Sequence, residues 1–213
     1  MVLEAHDFSL YSPYPNAQTL SEWLKESHRL TLHILDALKP GQENVLYSPT
    51  LNPPYWEFGH IAWFHELWVH RLGNFSNLSI LNQADQLFNS ALVAHRDRWQ
   101  IEIPDISRIR AYLETIYQKT QDKLQISLSK QEAYYVQLVI FHQDMHNEAF
   151  AYMWQALGYP WFGGSDTDNE PPTSNNFFPT GELGYQSEDI LVASGSLILG
   201  AEPNTGFIFD NEK

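Results

Sequence analysis

The chain has 213 residues, 43% apolar and 14% aromatic, which is enough for one good-sized domain with a real core and excludes global disorder. Its 26 acidic residues against 12 basic give a formal net charge of −14, a poor surface for nucleic-acid phosphates or anionic membrane, so small molecules or proteins are the expected partners. Cysteine is absent, which excludes disulfides, thiolate metal sites and cysteine nucleophiles.

The opening "MVLEAHDFSLYSPYPNAQ" has no basic stretch followed by an apolar run, so it does not read as a secretory signal. No apolar stretch approaches the ~18 residues of a membrane span. The expectation is a soluble, cytoplasmic protein. Helical periodicity begins at about residues 19–39, where Thr19 and Glu22 fit a capping box and "KPG" ends the run. A second helix follows "SPTLNPP", with Pro53 and Pro54 suited to a first turn, and continues to about Arg71, before Gly73. The stretch "NQADQLFNSALVAHRDRWQIEIP" reads as a short helix and a loop crossing the bundle. A third helix starts near Pro104 and runs through "DISRIRAYLETIYQKTQDKLQ". A fourth opens at Ser129 with Glu132 three residues on, another capping box. It stops at Leu157, with Gly158 as its cap and Pro160 beyond. Four long helices with one long connection predict an all-α four-helix bundle.

Composition changes after Tyr159. Residues 163–189, rich in Gly, Pro, Ser, Asn and acid, read as a mobile linker. Residues 190–213, "ILVASGSLILGAEPNTGFIFDNEK", give two short strand-forming runs, too few for an independent domain. These runs are expected to form at most a hairpin resting on the bundle or paired with another chain.

Of nine histidines, only His142 and His146 stand four apart, on one face of the fourth helix. They lie in a seam with Leu138, Met145, Ala149 and Met153. In the second helix Trp56, His60, Trp63 and Leu67 form a matching seam. Three imidazoles thus point to the interior from two helices, the way bundles assemble metal sites. A lone histidine on an apolar face is usually a hydrogen-bonded core residue. Three in one core each need a partner, and one divalent cation satisfies all three. Spacing leaves the metal open, zinc with three histidines and water or non-haem iron. His65 and His70 lie well round the helix from His60. His28, His33, His95 and Glu148 read as surface or outer groups. Glu57, one turn before His60, can orient a ligand imidazole, but a solvated carboxylate is the plainer reading.

"SPTLNPPYWEFGHIAWFHELWVHR", "FNSALVAHRDRW", "FHQDMHNEAF" and "GSLILGAEPNTGFIFDNEK" together resemble the ergothioneine- and selenoneine-synthase family of non-haem iron enzymes. The second-helix and "VAHRDRW" motifs are closer to its selenoneine branch. The resemblance implies a DinB-like four-helix bundle over residues 1–162, a linker over 163–189, and over 190–213 the start of a domain like formylglycine-generating enzyme and sulfatase modifiers. It implies Fe(II) held by His60, His142 and His146, the same three that the seams select. It also implies joining of a sulfur or selenium donor to the imidazole of hercynine (Nα-trimethylhistidine), with O₂ consumed and a sulfoxide formed in the sulfur branch. That family's second domain supplies an active-site tyrosine and much of the pocket. With that domain incomplete here, no catalytic residue is carried over, and turnover by this chain alone is not expected. The rival readings are a stand-alone DinB-like Zn(II)-dependent thiol transferase or hydrolase, and a non-catalytic metal-binding bundle.

Overall fold

The computed structural model describes residues 15–160 and, beyond them, 191, 194–196, 199–201, 206–209 and 212. Helix α1 spans Ala17–Ala37, and its cap is Asn16, whose side chain accepts from the Thr19 backbone N–H at 2.9 Å. This corrects the expected Thr19–Glu22 box: the short Asn side chain immediately before the helix reaches the free amide first, which places Thr19 inside the first turn. Helix α2, Pro54–His65, starts with Pro at the position where a missing N–H costs nothing, and it continues through a wide π turn, Glu66–His70. A short α3, Ala84–Phe88, and a 3-10 turn, His95–Trp99, occupy the crossing segment. Helix α4, Ile106–Lys123, is capped by Asp105. Helix α5, Lys130–Leu157, carries the expected reciprocal Ser129–Glu132 box. It ends at Gly158, whose φ of +65° is the left-handed conformation that glycine adopts without strain.

Each long helix packs on two others in the order α1–α5–α2–α4 and back to α1, so the all-α bundle closes on itself. Consecutive helices α1 and α2, and likewise α4 and α5, lie across the diagonals. One half of the core is built by Trp56, Phe58, Ile61, Phe88, Ile109, Ile116, Phe150 and Trp154. The other half is built by Leu20, Leu24, Val69, Tyr134, Val136, Val139 and Ile140. Helix α2 is buried nearly all round, because α4, α5 and the crossing segment cover it on every side.

The crossing segment is tied to α2 and α4 by buried polar contacts. Glu66, 1% exposed, accepts from Tyr112 Oη, from Ser79 Oγ and from the Ile80 N–H at 2.7 Å. Arg71, 3% exposed, donates twice to Asp85 at 2.8 Å, and the Trp63 indole donates to the same carboxylate at 2.8 Å. Trp56 Nε1 donates to the Leu87 carbonyl at 2.8 Å.

No β-strand forms among the described residues. The expected linker, 163–189, lies outside them, as does much of 190–213. Of the tail, Leu191 and Leu199 are exposed, whereas Ile208 is buried. Tyr134 Oη donates to the Ile208 carbonyl at 3.1 Å, and the Phe207 ring stacks on Tyr134 with centroids 5.0 Å apart. Residues 206–209 therefore rest on α5.

Gly59 stands where no side chain fits. A Cβ there would stand 2.2 Å from the Phe88 ring. Gly59→Ala should destabilise the metal-free protein by about 1–3 kcal/mol in urea unfolding, the usual cost of overpacking, and Gly59→Ala/Phe88→Leu should recover part of that loss.

Candidate metal centre

His60 projects from α2, and His142 and His146 from successive turns of α5. One ring nitrogen of each lies within 4.8 Å of the other two, and His142 Nε2 and His146 Nε2 are 3.2 Å apart. Nitrogens bound at ~2.0–2.1 Å to one ion stand about 2.9–3.4 Å apart in adjacent positions, so this pair already has ligand spacing. The ring centroids form a triangle with sides of 5.1, 5.0 and 4.5 Å. Among the described residues this is the one group of three His, Asp or Glu side chains that can hold a metal ion.

Each ring is held from behind. His60 Nδ1 lies 2.8 Å from the Phe88 carbonyl, an acceptor only, so Nδ1 carries the proton and Nε2 keeps its lone pair. The Trp56 ring stacks on His60 at 5.0 Å and an angle of 9°. His142 lies flat on Phe64, with centroids 3.7 Å apart. His146 Nδ1 stands 2.8 Å from Glu57 Oε2, and its Nε2 turns toward His142. His60 is buried, and His142 and His146 are at most partly exposed.

Burial pushes the His60 imidazole down to about 4, and the neighbouring His146 ring adds to the shift. His142 is lowered well below the usual histidine range by the same causes. Neutral imidazoles with free lone pairs are the form a cation takes, so the residues present fit a divalent metal.

Glu57 corrects the solvated-carboxylate reading. It is 3% exposed, and it contacts His146 on the opposite helix rather than His60 on its own. Its other oxygen accepts from Asn52 Nδ2 at 2.7 Å, and Asn52 Oδ1 accepts from Arg98 at 2.7 Å. Burial raises the Glu57 carboxyl, but the His146 ring beside it and the hydrogen bond from Asn52 outweigh it and hold the group below the ordinary carboxylate range. Spacing in the sequence does not show Asn52, Arg98 or the Phe88 carbonyl. The available signal was a lone carboxylate inside the apolar run "PYWEFGHIAWF", which leaves it no polar face to occupy.

The remaining histidines stand apart from the triad. His65 and His70 both meet Thr120 Oγ1, at 2.9 and 2.8 Å. His95 meets the Leu51 carbonyl at 2.7 Å, while His33 and Glu148 are exposed. His28 is a second correction. It is buried against α4, stacked on Tyr117 with centroids 4.1 Å apart, because its face of α1 turns inward. Met145, placed in the seam by spacing, is half exposed.

The fold and site define a helical bundle whose interior can hold a metal ion between two of its helices. Residues 23–130 match the DinB superfamily, and the chain belongs to it. That match takes in His60; more extended similarity covers α5 as well. A protein named hercynine oxygenase from Mycolicibacterium smegmatis is 26% identical over 200 residues, 92% of this chain and 44% of that protein. One of the same name from Mycolicibacterium thermoresistibile is 24% identical over 205 residues, 93% of this chain and 43% of the relative. A third, from Mycobacterium tuberculosis, is 29% identical over 113 residues, 52% of this chain and 26% of the relative. The chain thus spans less than half the length of these relatives. No helix among the described residues is long and apolar enough to cross a membrane.

His28 gives a pH signature independent of the metal. Burial, then the charge of Arg110, lowers it from 6.5 to about 4. Between those values the unfolded chain binds the extra proton, so stability is full above ~6.5 and is lost as pH falls toward 4, on the order of 3 kcal/mol for this group. Urea unfolding of the metal-free protein at pH 7 and 4.5 should show that loss, and His28→Phe should flatten the pH dependence by a measurable part of it.

Proposed function

We propose that His60, His142 and His146 bind Fe(II), and that the bundle is the metal-binding part of an enzyme that joins a sulfur or selenium donor to the imidazole of hercynine. The observation that carries this reading is the convergence of three buried or half-buried imidazole nitrogens within 4.8 Å. The likeness to hercynine oxygenases over 92% of the chain supports it. Iron supplies the redox chemistry with O₂ that zinc, which has none, does not. The chain's own part is to hold the three rings aimed at one point. The Phe88 carbonyl takes the outward proton of His60, Glu57 stands 2.8 Å behind His146, and Trp56 and Phe64 cover faces of the His60 and His142 rings.

The matched relatives are more than twice as long as the region this chain covers. We therefore place the rest of the substrate pocket in a second domain beginning near residue 190, joined to the bundle (1–162) through residues 163–189, and we place the protein in the cytoplasm. Turnover with hercynine and either donor then requires that second domain, while metal binding belongs to the bundle. A zinc-dependent thiol transferase or hydrolase is the second reading. It is favoured by one feature: the three donors are all imidazoles with no carboxylate among them, as in His₃ zinc sites.

Protein purified without oxygen should carry about one iron per chain on this reading. His142→Ala or His146→Ala should abolish stoichiometric binding, while His65→Ala and His70→Ala should keep it even if they unfold more easily. Tight zinc with weak iron binding would replace the first reading with the second. Equal losses across all four variants would remove the triad from both.

A further inference from the structure

We propose that Glu57 is the positioning residue of the triad: its buried carboxylate, fixed by Asn52 and Arg98, holds His146 through Nδ1, leaves Nε2 as the free donor, and makes this ring the most strongly donating of the three. This inference rests on the metal reading above and deepens it.

The three rings are not held alike. His60 is backed by a neutral peptide carbonyl at 2.8 Å and His142 by the face of Phe64, whereas His146 is backed by a carboxylate at 2.8 Å. A negative charge behind an imidazole N–H draws the proton away from the ring and raises the basicity of its other nitrogen. Glu57 is not itself a ligand, because it sits on the Nδ1 side of His146 while Nε2 of the same ring faces His142 at 3.2 Å.

The carboxylate is itself constrained. Oε1 takes the Asn52 amide at 2.7 Å, and the Asn52 carbonyl takes the Arg98 guanidinium at 2.7 Å. Arg98 lies 4.0 Å over the Trp56 ring. The chain Arg98–Asn52–Glu57–His146 therefore runs from the 3-10 turn, through the residue that precedes the Pro53–Pro54 start of α2, to α5. A carboxylate 3% exposed is costly to hold in a core that gains nothing from it. Here it gains a fixed orientation for a ligand that the neighbouring helix α5 carries.

The test uses the whole 213-residue chain with Co(II) as the probe, reading its visible bands and its affinity against a competing chelator. The comparison covers wild type, Glu57→Gln, Glu57→Ala, Asn52→Ala, His142→Ala, and Glu148→Ala as an exposed control. Glu57→Ala should bind about 10–100-fold more weakly. Glu57→Gln, which keeps an acceptor oxygen but no charge, should show a smaller loss with shifted bands, and it carries the test if the alanine variant does not fold. Asn52→Ala should fall between Glu57→Gln and wild type, and Glu148→Ala should match wild type. Urea unfolding without metal should show Glu57→Gln as stable as wild type or more so, the opposite of what a merely structural carboxylate would give. Binding within twofold of wild type and unshifted bands in both Glu57 variants would overturn the proposal while leaving the triad standing. If wild type binds no better than His142→Ala, the metal reading itself falls.

Discussion

Three imidazoles taken out of water into one helical core must each be held by something other than water, and much of this fold follows from that requirement. The acceptor for His60 is a main-chain carbonyl, so the backbone at Phe88 has to run directly against α2. That approach leaves no room for a side chain at residue 59, where the Phe88 ring fills the space, and glycine stands there. The segment that crosses the bundle is therefore a wall of the site, not only a connection between helices. Its own fastening to Glu66, Trp63 and Arg71 is what keeps that carbonyl in place.

Buried polar contacts of this kind contribute little net stability against an apolar core, yet breaking one is costly. Removing one partner leaves a charge or donor stranded. The same logic holds between α1 and α5, where Thr31 donates to Asn147 Oδ1 at 2.8 Å and Gln143 donates to Thr31 at 2.7 Å. Asn147 follows His146 directly, so the contact that fixes α5 against α1 also fixes its rotation about its own axis. The direction in which the two α5 histidines point depends on that rotation.

The sequence makes the helices and the triad legible because both are local properties. Periodicity shows which side chains share a face, and Ser129–Glu132 and Gly158 mark where α5 begins and ends. It does not show what lies across from a face. Glu57 looked like a solvated carboxylate because nothing in the run around it reveals that α5 brings His146 to it. His28 looked peripheral because α1 carries polar residues among its buried ones. Helix α2 offered the least guidance. It has no polar stripe, since three elements cover it, so amphipathicity could not orient it, and the apolar spacing around His60 was the only clue to its inward face.

The wide turn at Glu66–His70 has a further consequence. In an uninterrupted α-helix, residues five apart point in directions differing by about 140°, the remainder of five steps of ~100°. Here the Arg71 N–H reaches back to the Glu66 carbonyl at 3.1 Å, the rings of His65 and His70 are nearly parallel, and both meet Thr120. The helix has gained a residue without gaining the matching rotation, a slip of phase frozen into a continuous rod. Ahead of the slip the rod aims His60 at α5; behind it the rod aims Arg71 at Asp85. Neither half has to compromise its angle for the other. Thr120, gripping the side chains on both sides of the slip, acts as the pin that stops it from travelling along the rod.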